Sequence, residues 1–164
     1  MLKRYLAIIF LFLSAPPGAS AQPLIVAHRG ASHDAPENTL PAFLEAWRQR
    51  ADAIEGDFHL TKDGKIVCIH DEDTRAVAGV KKVIKTSTWQ ELQELDVGRW
   101  HDAKWNGTRI PTIDAVLSTV PRNKRILIEV KCGPEIVPAL VRQMKASKLK
   151  TEQMLVISFD AEVI

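Results

Sequence analysis

The stretch EGDFHLTKDGKIVCIHD, Glu55 to Asp71, brings two carboxylates, a turn signal and a His-Asp pair into one short run. Successive side chains of a strand alternate faces, so Glu55 and Asp57 point the same way. Asp63-Gly64 between two strand-like runs signals a two-residue hairpin. Closing the hairpin there pairs Lys62 with Lys65 and, counting back, sets Asp57 opposite His70, both on the face that carries Glu55. Carboxylates beside an imidazole suit a divalent metal with an acid/base group at its edge.

Outward from this stretch the chain alternates strands and helices. Leu24 to Ala27 reads as a short buried strand that delivers His28-Arg29-Gly30 at its end. Asn38 or Thr39 caps a helix to about Arg50, with Leu40, Phe43, Leu44 and Trp47 on one face. Ala53 to His59 is the second strand, and Ile66 to His70 returns from the turn. Asp73 to Thr86 has no clear period and reads as loop. Ser87 caps a short helix over Thr88–Leu95 with Glu91 as capping-box partner, and Thr112 opens another to about Val120. Arg125 to Lys131 (RILIEVK) is a strand ending in Glu129 and Lys131. Pro134 to Ser147 is helical with Ile136, Leu140, Val141 and Met144 inward, and Met154 to Phe159 is a further strand.

Strand–helix–strand order with chemistry at strand ends is α/β logic, and in a (β/α)8 TIM barrel the functional residues gather at the C-terminal ends of the strands. His28, Glu55, Asp57, Glu129 and Lys131 all fall at or near such ends. The second strand and its return are too close for a parallel crossover. The expected arrangement therefore has the second strand overshoot the barrel and fold back into its mouth. A complete barrel takes about 250 residues, so residues 22–164 are expected to be the N-terminal portion of one such domain.

Met1 to Ala21 reads as a cleavable export signal: Lys3 and Arg4, an apolar run from Tyr5 to Leu13, then Ala19-Ser20-Ala21. The apolar run is too short to span a bilayer, and no Cys near the site offers a lipid anchor. A periplasmic or secreted protein is expected. The net charge of +2 includes Lys3 and Arg4, so the remainder is formally neutral. No basic stripe with interleaved aromatics suggests a nucleic-acid partner. Export would permit a Cys68–Cys132 disulfide, although two small buried thiols are the simpler reading.

Taken together the blocks resemble the glycerophosphodiester phosphodiesterases. The matching residues are His28-Arg29-Gly30, Pro36-Glu37-Asn38-Thr39, Glu55-x-Asp57, Leu60 to Gly64, His70-Asp71, Leu95-Asp96-x-Gly98, Ile110-Pro111-Thr112, Ile128-Glu129-x-Lys131 and Ile157 to Asp160. They run in family order over nearly all of the chain after Ala21.

The resemblance implies hydrolysis of a small-molecule glycerophosphodiester to glycerol 3-phosphate and an alcohol. Glu55, Asp57 and Glu129 would hold the metal. As hard oxygen ligands they favour Ca2+ or Mg2+. His28 and His70 would divide the acid and base work, with the assignment of each left open. Arg29 and Lys131 are candidates for the phosphate oxygens. Glu37 and Asn38 read as holders of the first loop, Asn38 as a cap. His33, His59 and His101 read as surface or loop residues. Trp100 and Trp105 either line a headgroup pocket or pack their own loop. Two rival functions are a related phospholipase acting on intact lipid headgroups and a non-catalytic remnant that binds metal or phosphate.

Overall fold

Strand β2, Ala53–Leu60, is the one every neighbouring strand is measured against in this computed structural model, which describes residues 23–164. The export segment expected at Met1–Ala21 lies outside the described residues. Strand β1 (Val26–Ala27) pairs parallel with the start of β2, and β4 (Arg125–Val130) pairs parallel along its first six residues. Strand β5 (Met154–Ser158) adds in parallel to β4, giving the order β1-β2-β4-β5. The helices α1 (Leu40–Arg48), α4 (Ile113–Thr119) and α5 (Val137–Ala146) are the crossovers. A parallel arc with helices on one face is a portion of a TIM barrel.

The overshoot is real. Strand β3 (Ile66–Cys68) pairs antiparallel with Phe58, His59 and Leu60, at the far end of β2. Its register differs by one residue from the expected one. Phe58 faces Cys68, so Asp57 falls level with Ile69, whose N–H donates to the Asp57 carbonyl at 2.9 Å. The cause is the turn. Gly64 N–H closes on the Thr61 carbonyl at 3.0 Å and Gly64 sits at φ +77°, so Lys62, Asp63 and Gly64 form a three-residue loop with a left-handed glycine. Thr61 locks it, donating to Asp63 and accepting from Lys65 N–H.

Even-numbered residues of β2 and β4 bury the core. Ile54 and Phe58 of β2 and Ile126, Ile128 and Val130 of β4 pack on Phe43, Val116, Leu117, Ile136 and Leu140. Phe43 and Phe58 are fully buried, each stabilising by about 1.5–3 kcal/mol. Leu44 and Val141 are exposed. The apolar stripes of α1 and α5 are thus narrower than their sequences suggest. A second cluster, Val67, Ile69, Ile84, Leu92, Val97 and Ile110, consolidates the long excursion between β3 and α4. That excursion is less irregular than expected: it holds α2 (Arg75–Ala78), a 3-10 turn at Ile84–Thr86 and α3 (Trp89–Gln93). Thr88 rather than Ser87 caps α3, in a reciprocal capping box with Glu91.

Odd-numbered residues of β2, β4 and β5 face the other way, into the barrel interior, and in β1 the shifted parity puts Val26 on that side. By register Val26, Glu55, Asp57, Leu127, Glu129 and Leu155 share that face. Toward the C-terminal ends it is acidic. At the edges it is apolar and open: Val26 and Leu155 are both exposed.

The turn after β1 carries Arg29 and Gly30 at φ +58° and +79°. A Cβ on Gly30 would lie 2.7 Å from the Ala42 backbone, because Ala31 N–H bonds the Ala42 carbonyl and draws the loop onto α1. Gly30→Ala is therefore expected to lower unfolding free energy by about 2–4 kcal/mol, from left-handed strain plus the overlap. Urea unfolding of the two proteins checks this, and a loss below about 1 kcal/mol would mean the loop is free to move off α1.

Candidate active site

Parallel register brings two of the acids together. Asp57 and Glu129 are direct partners across β2 and β4, and Glu55 lies two residues back on the same face. One carboxylate oxygen from each of Glu55, Asp57 and Glu129 lies within 4.8 Å of the others. Glu55 and Asp57 are nearly sequestered, with side chains 6% and 1% exposed.

Three negative groups in so small a volume need compensation, and two fixed cations supply part of it. Arg29 Nε lies 3.3 Å from Asp57 Oδ2, while its Nη1 donates to Glu37 Oε1 at 3.0 Å. Lys131 Nζ donates to Glu129 Oε1 at 2.9 Å and stands 3.6 Å from Asp57 Oδ1. Partial burial works against the ammonium, but the Glu129 and Asp57 carboxylates outweigh it and hold the Lys131 pKa above its ordinary value.

Glu55 remains undercompensated. Its Oε2 accepts from Arg29 N–H at 2.9 Å, but its Oε1 is buried without a hydrogen-bond partner. Burial first, then the charges of Asp57 and Glu129, push its pKa up from 4.5 to about 7, against the Arg29 N–H bond. An orphaned buried oxygen beside two more carboxylates is a donor set that fits a hard divalent cation.

The two histidines flank this cluster. His28 follows β1; its ring is 68% exposed, with Nε2 3.9 Å from Glu55 Oε2. His70 was expected on β3 opposite Asp57. Instead the strand ends at Cys68 and His70 lies on the following loop. It still reaches the cluster: Nε2 is 3.4 Å from Lys131 Nζ, and Nδ1 is 2.8 Å from Asp71 Oδ1. A carboxylate only accepts and an ammonium only donates, so Nδ1 carries the proton and Nε2 presents its lone pair.

That loop is held by His59, which is buried rather than superficial. Its Nε2 lies 3.1 Å from the His70 carbonyl, and burial lowers its pKa, so the ring donates from Nε2 as a neutral imidazole. Asn38 also departs from expectation. The cap of α1 is Thr39, whose Oγ1 accepts from Ala42 N–H, while Asn38 turns inward to Asp57. Two capping-type residues in tandem can supply only one cap, and that was the signal that the other was free for a second task.

His33 is exposed and His101 lies in a loop, as expected. Cys68 and Cys132 are free, Cys68 fully buried and its thiol pKa raised by that burial. Trp100 is tied to its own loop, donating to the Val97 carbonyl at 2.9 Å. A cleft of about 430 Å3 beside Lys131 is lined instead by Cys132, Gly133, Ser158 and Phe159.

Residues 28–159 match the sequence profile of the glycerophosphoryl diester phosphodiesterase family. The chain belongs to that family. A glycerophosphodiester phosphodiesterase of Caldanaerobacter subterraneus is 37% identical over 142 residues, covering 84% of this chain and 58% of that protein. The crystal structure of the Agrobacterium tumefaciens glycerophosphodiester phosphodiesterase superposes with a TM-score of 0.76 at 34% identity, covering 87% of this chain and 60% of that one. An Oleispira antarctica phosphodiesterase, solved with its product sn-glycerol-3-phosphate, gives 0.80 at 28% identity, over 86% of this chain and 59% of that one. The chain spans about half the length of the curated relatives it matches, for example 46% and 58% of two of them. Among the described residues no helix is long and apolar enough to cross a membrane.

Proposed function

We propose that the protein hydrolyses glycerophosphodiesters to glycerol 3-phosphate and an alcohol, with Ca2+ or Mg2+ held by Glu55, Asp57 and Glu129. The observation that carries this reading is the convergence of three acids, two histidines and two fixed cations at one end of the parallel strands. The family and the product named for the Oleispira relative support the substrate class. A bound divalent ion would supply Lewis-acid polarisation of a phosphoryl oxygen.

The chain's own groups do the rest. His70, with its proton fixed on Nδ1 by Asp71, offers Nε2 as the base that takes a proton from the attacking water. His28, beside Glu55 and open to solvent, holds a proton on Nε2 for the departing alkoxide. A new P–O bond forms as the bond to the alcohol breaks, and the two histidines end the step with exchanged protonation states. Arg29 and Lys131, already oriented by carboxylates, reach for the remaining phosphate oxygens.

Release of glycerol 3-phosphate from glycerophosphocholine is the direct test. Chelation is expected to cut turnover at least a hundredfold, and added Ca2+ or Mg2+ to restore it. Turnover that survives exhaustive chelation would overturn the metal role.

A further inference from the structure

Asn38 is 3% exposed and makes two hydrogen bonds to one residue. Its Nδ2 donates to Asp57 Oδ2 at 2.8 Å, and its Oδ1 accepts from Asp57 N–H at 3.1 Å. The amide orientation is forced, since a backbone N–H only donates and a carboxylate only accepts. The Cys68 thiol adds a third bond, donating to the same Oδ1 at 3.2 Å. We propose that Asn38 is the positioning residue for Asp57: its clamp across backbone and carboxylate fixes which oxygen of Asp57 is offered to the cation. The inference rests on the metal reading above.

The clamp matters because Asp57 has competing partners. Arg29 Nε and Lys131 Nζ lie 3.3 and 3.6 Å from its two oxygens. Without Asn38 the carboxylate is free to rotate toward either and to pair there at the expense of a metal ion. With Asn38 in place Oδ2 is committed to the amide, and Oδ1 stays on the side it shares with Glu129 through Lys131. The clamp is itself anchored. Asn38 stands at φ +57°, a conformation asparagine tolerates well, and its N–H donates to the Arg29 carbonyl at 3.0 Å. The loop that presents Arg29 therefore also sets the orientation of Asp57.

Asn38→Gly tests this, because glycine accepts the left-handed backbone and removes both bonds to Asp57. Ca2+ and Mg2+ affinities would be measured by calorimetry on the metal-free proteins, with thermal unfolding alongside. A folded Asn38→Gly protein is expected to bind the cation roughly 10–100-fold more weakly than the parent. Thr39→Ala, which removes the α1 cap and a bond to the Pro36 carbonyl but no bond to Asp57, is expected to lower stability and leave cation affinity unchanged. Should the glycine variant fail to fold, Asn38→Ser carries the same expectation. Affinity within threefold of the parent in either folded variant overturns the proposal, and so does failure of both to fold, which would make Asn38 a folding residue. If the parent binds neither ion, the metal reading fails first and is distinguished by that result.

Discussion

Alanine at His28 or at His70 is expected to lower turnover of glycerophosphocholine by about 10²- to 10⁴-fold, the range that one acid/base group contributes. Cation affinity should stay within about threefold in both, since neither ring belongs to the carboxylate cluster that would hold the ion. The two losses should be separable. His70 is fixed on both nitrogens, by Asp71 and by Lys131, so removing it takes away a preorganised base. A substrate whose alcohol is already a good leaving group then gains nothing. His28 has no such constraint and, as the proposed acid, would protonate the departing oxygen, so the same activated substrate is expected to recover most of the activity lost by His28→Ala. Steady-state rates on glycerophosphocholine and on a nitrophenyl phosphodiester check both points. Turnover within tenfold of the parent in either alanine variant would remove that residue from the chemistry. Recovery in His70→Ala instead of His28→Ala would exchange the two roles.

What the sequence revealed of this site followed from local periodicity, and what it hid followed from distance along the chain. Glu55 and Asp57 share a face because strands alternate, and two positions suffice to see it. That Glu129 lies directly across from Asp57 depends on a parallel register over 72 positions of separation, which no local pattern encodes; its place at a strand end and the resemblance pointed to the same site without the register. The hairpin shows the limit from the other side. Asp63-Gly64 was correctly read as a turn, yet the loop has three residues because Gly64 takes the left-handed position after a Thr61–Gly64 turn. One residue of slip would have turned His70 to the wrong face had it stayed on the strand. It reaches the cluster because β3 stops at Cys68 and His59 holds the loop. Asn38 and His59 were hidden for the same reason: a buried polar side chain is defined by partners distant in sequence. The exposed apolar edges, at Val26 and Leu155, belong to a parallel arc that is a portion of a barrel.

Glu55→Gln should stabilise the metal-free protein at neutral pH while weakening its grip on a cation, and the two effects have one cause. Burial among Asp57 and Glu129 raises the Glu55 pKa from 4.5 to about 7. The folded chain thus holds a proton on Glu55 that the unfolded chain releases above about pH 4.5. Stability from this group is fully present below pH 4.5 and is lost as pH rises through 7. Glutamine keeps an acceptor for Arg29 N–H and places an amide donor where the partnerless Oε1 now lies, near two carboxylates. In chelator, the variant and parent should unfold alike near pH 4. Above pH 7 the variant should be more stable by up to about 3 kcal/mol. Excess Ca2+ or Mg2+ should close most of that gap. A cation at a hundred times its Kd stabilises the parent by about 2.7 kcal/mol, and the variant, with Kd raised roughly a hundredfold, gains little. Denaturant unfolding at pH 4 and pH 8, with chelator and with cation, decides it. Equal stabilities at pH 8 in chelator would mean that Glu55 bears no buried charge to relieve, and equal gains on adding the cation would remove it from the ligand set. The acidic cluster is costly to the empty fold, and the same cost would give a divalent ion its affinity there.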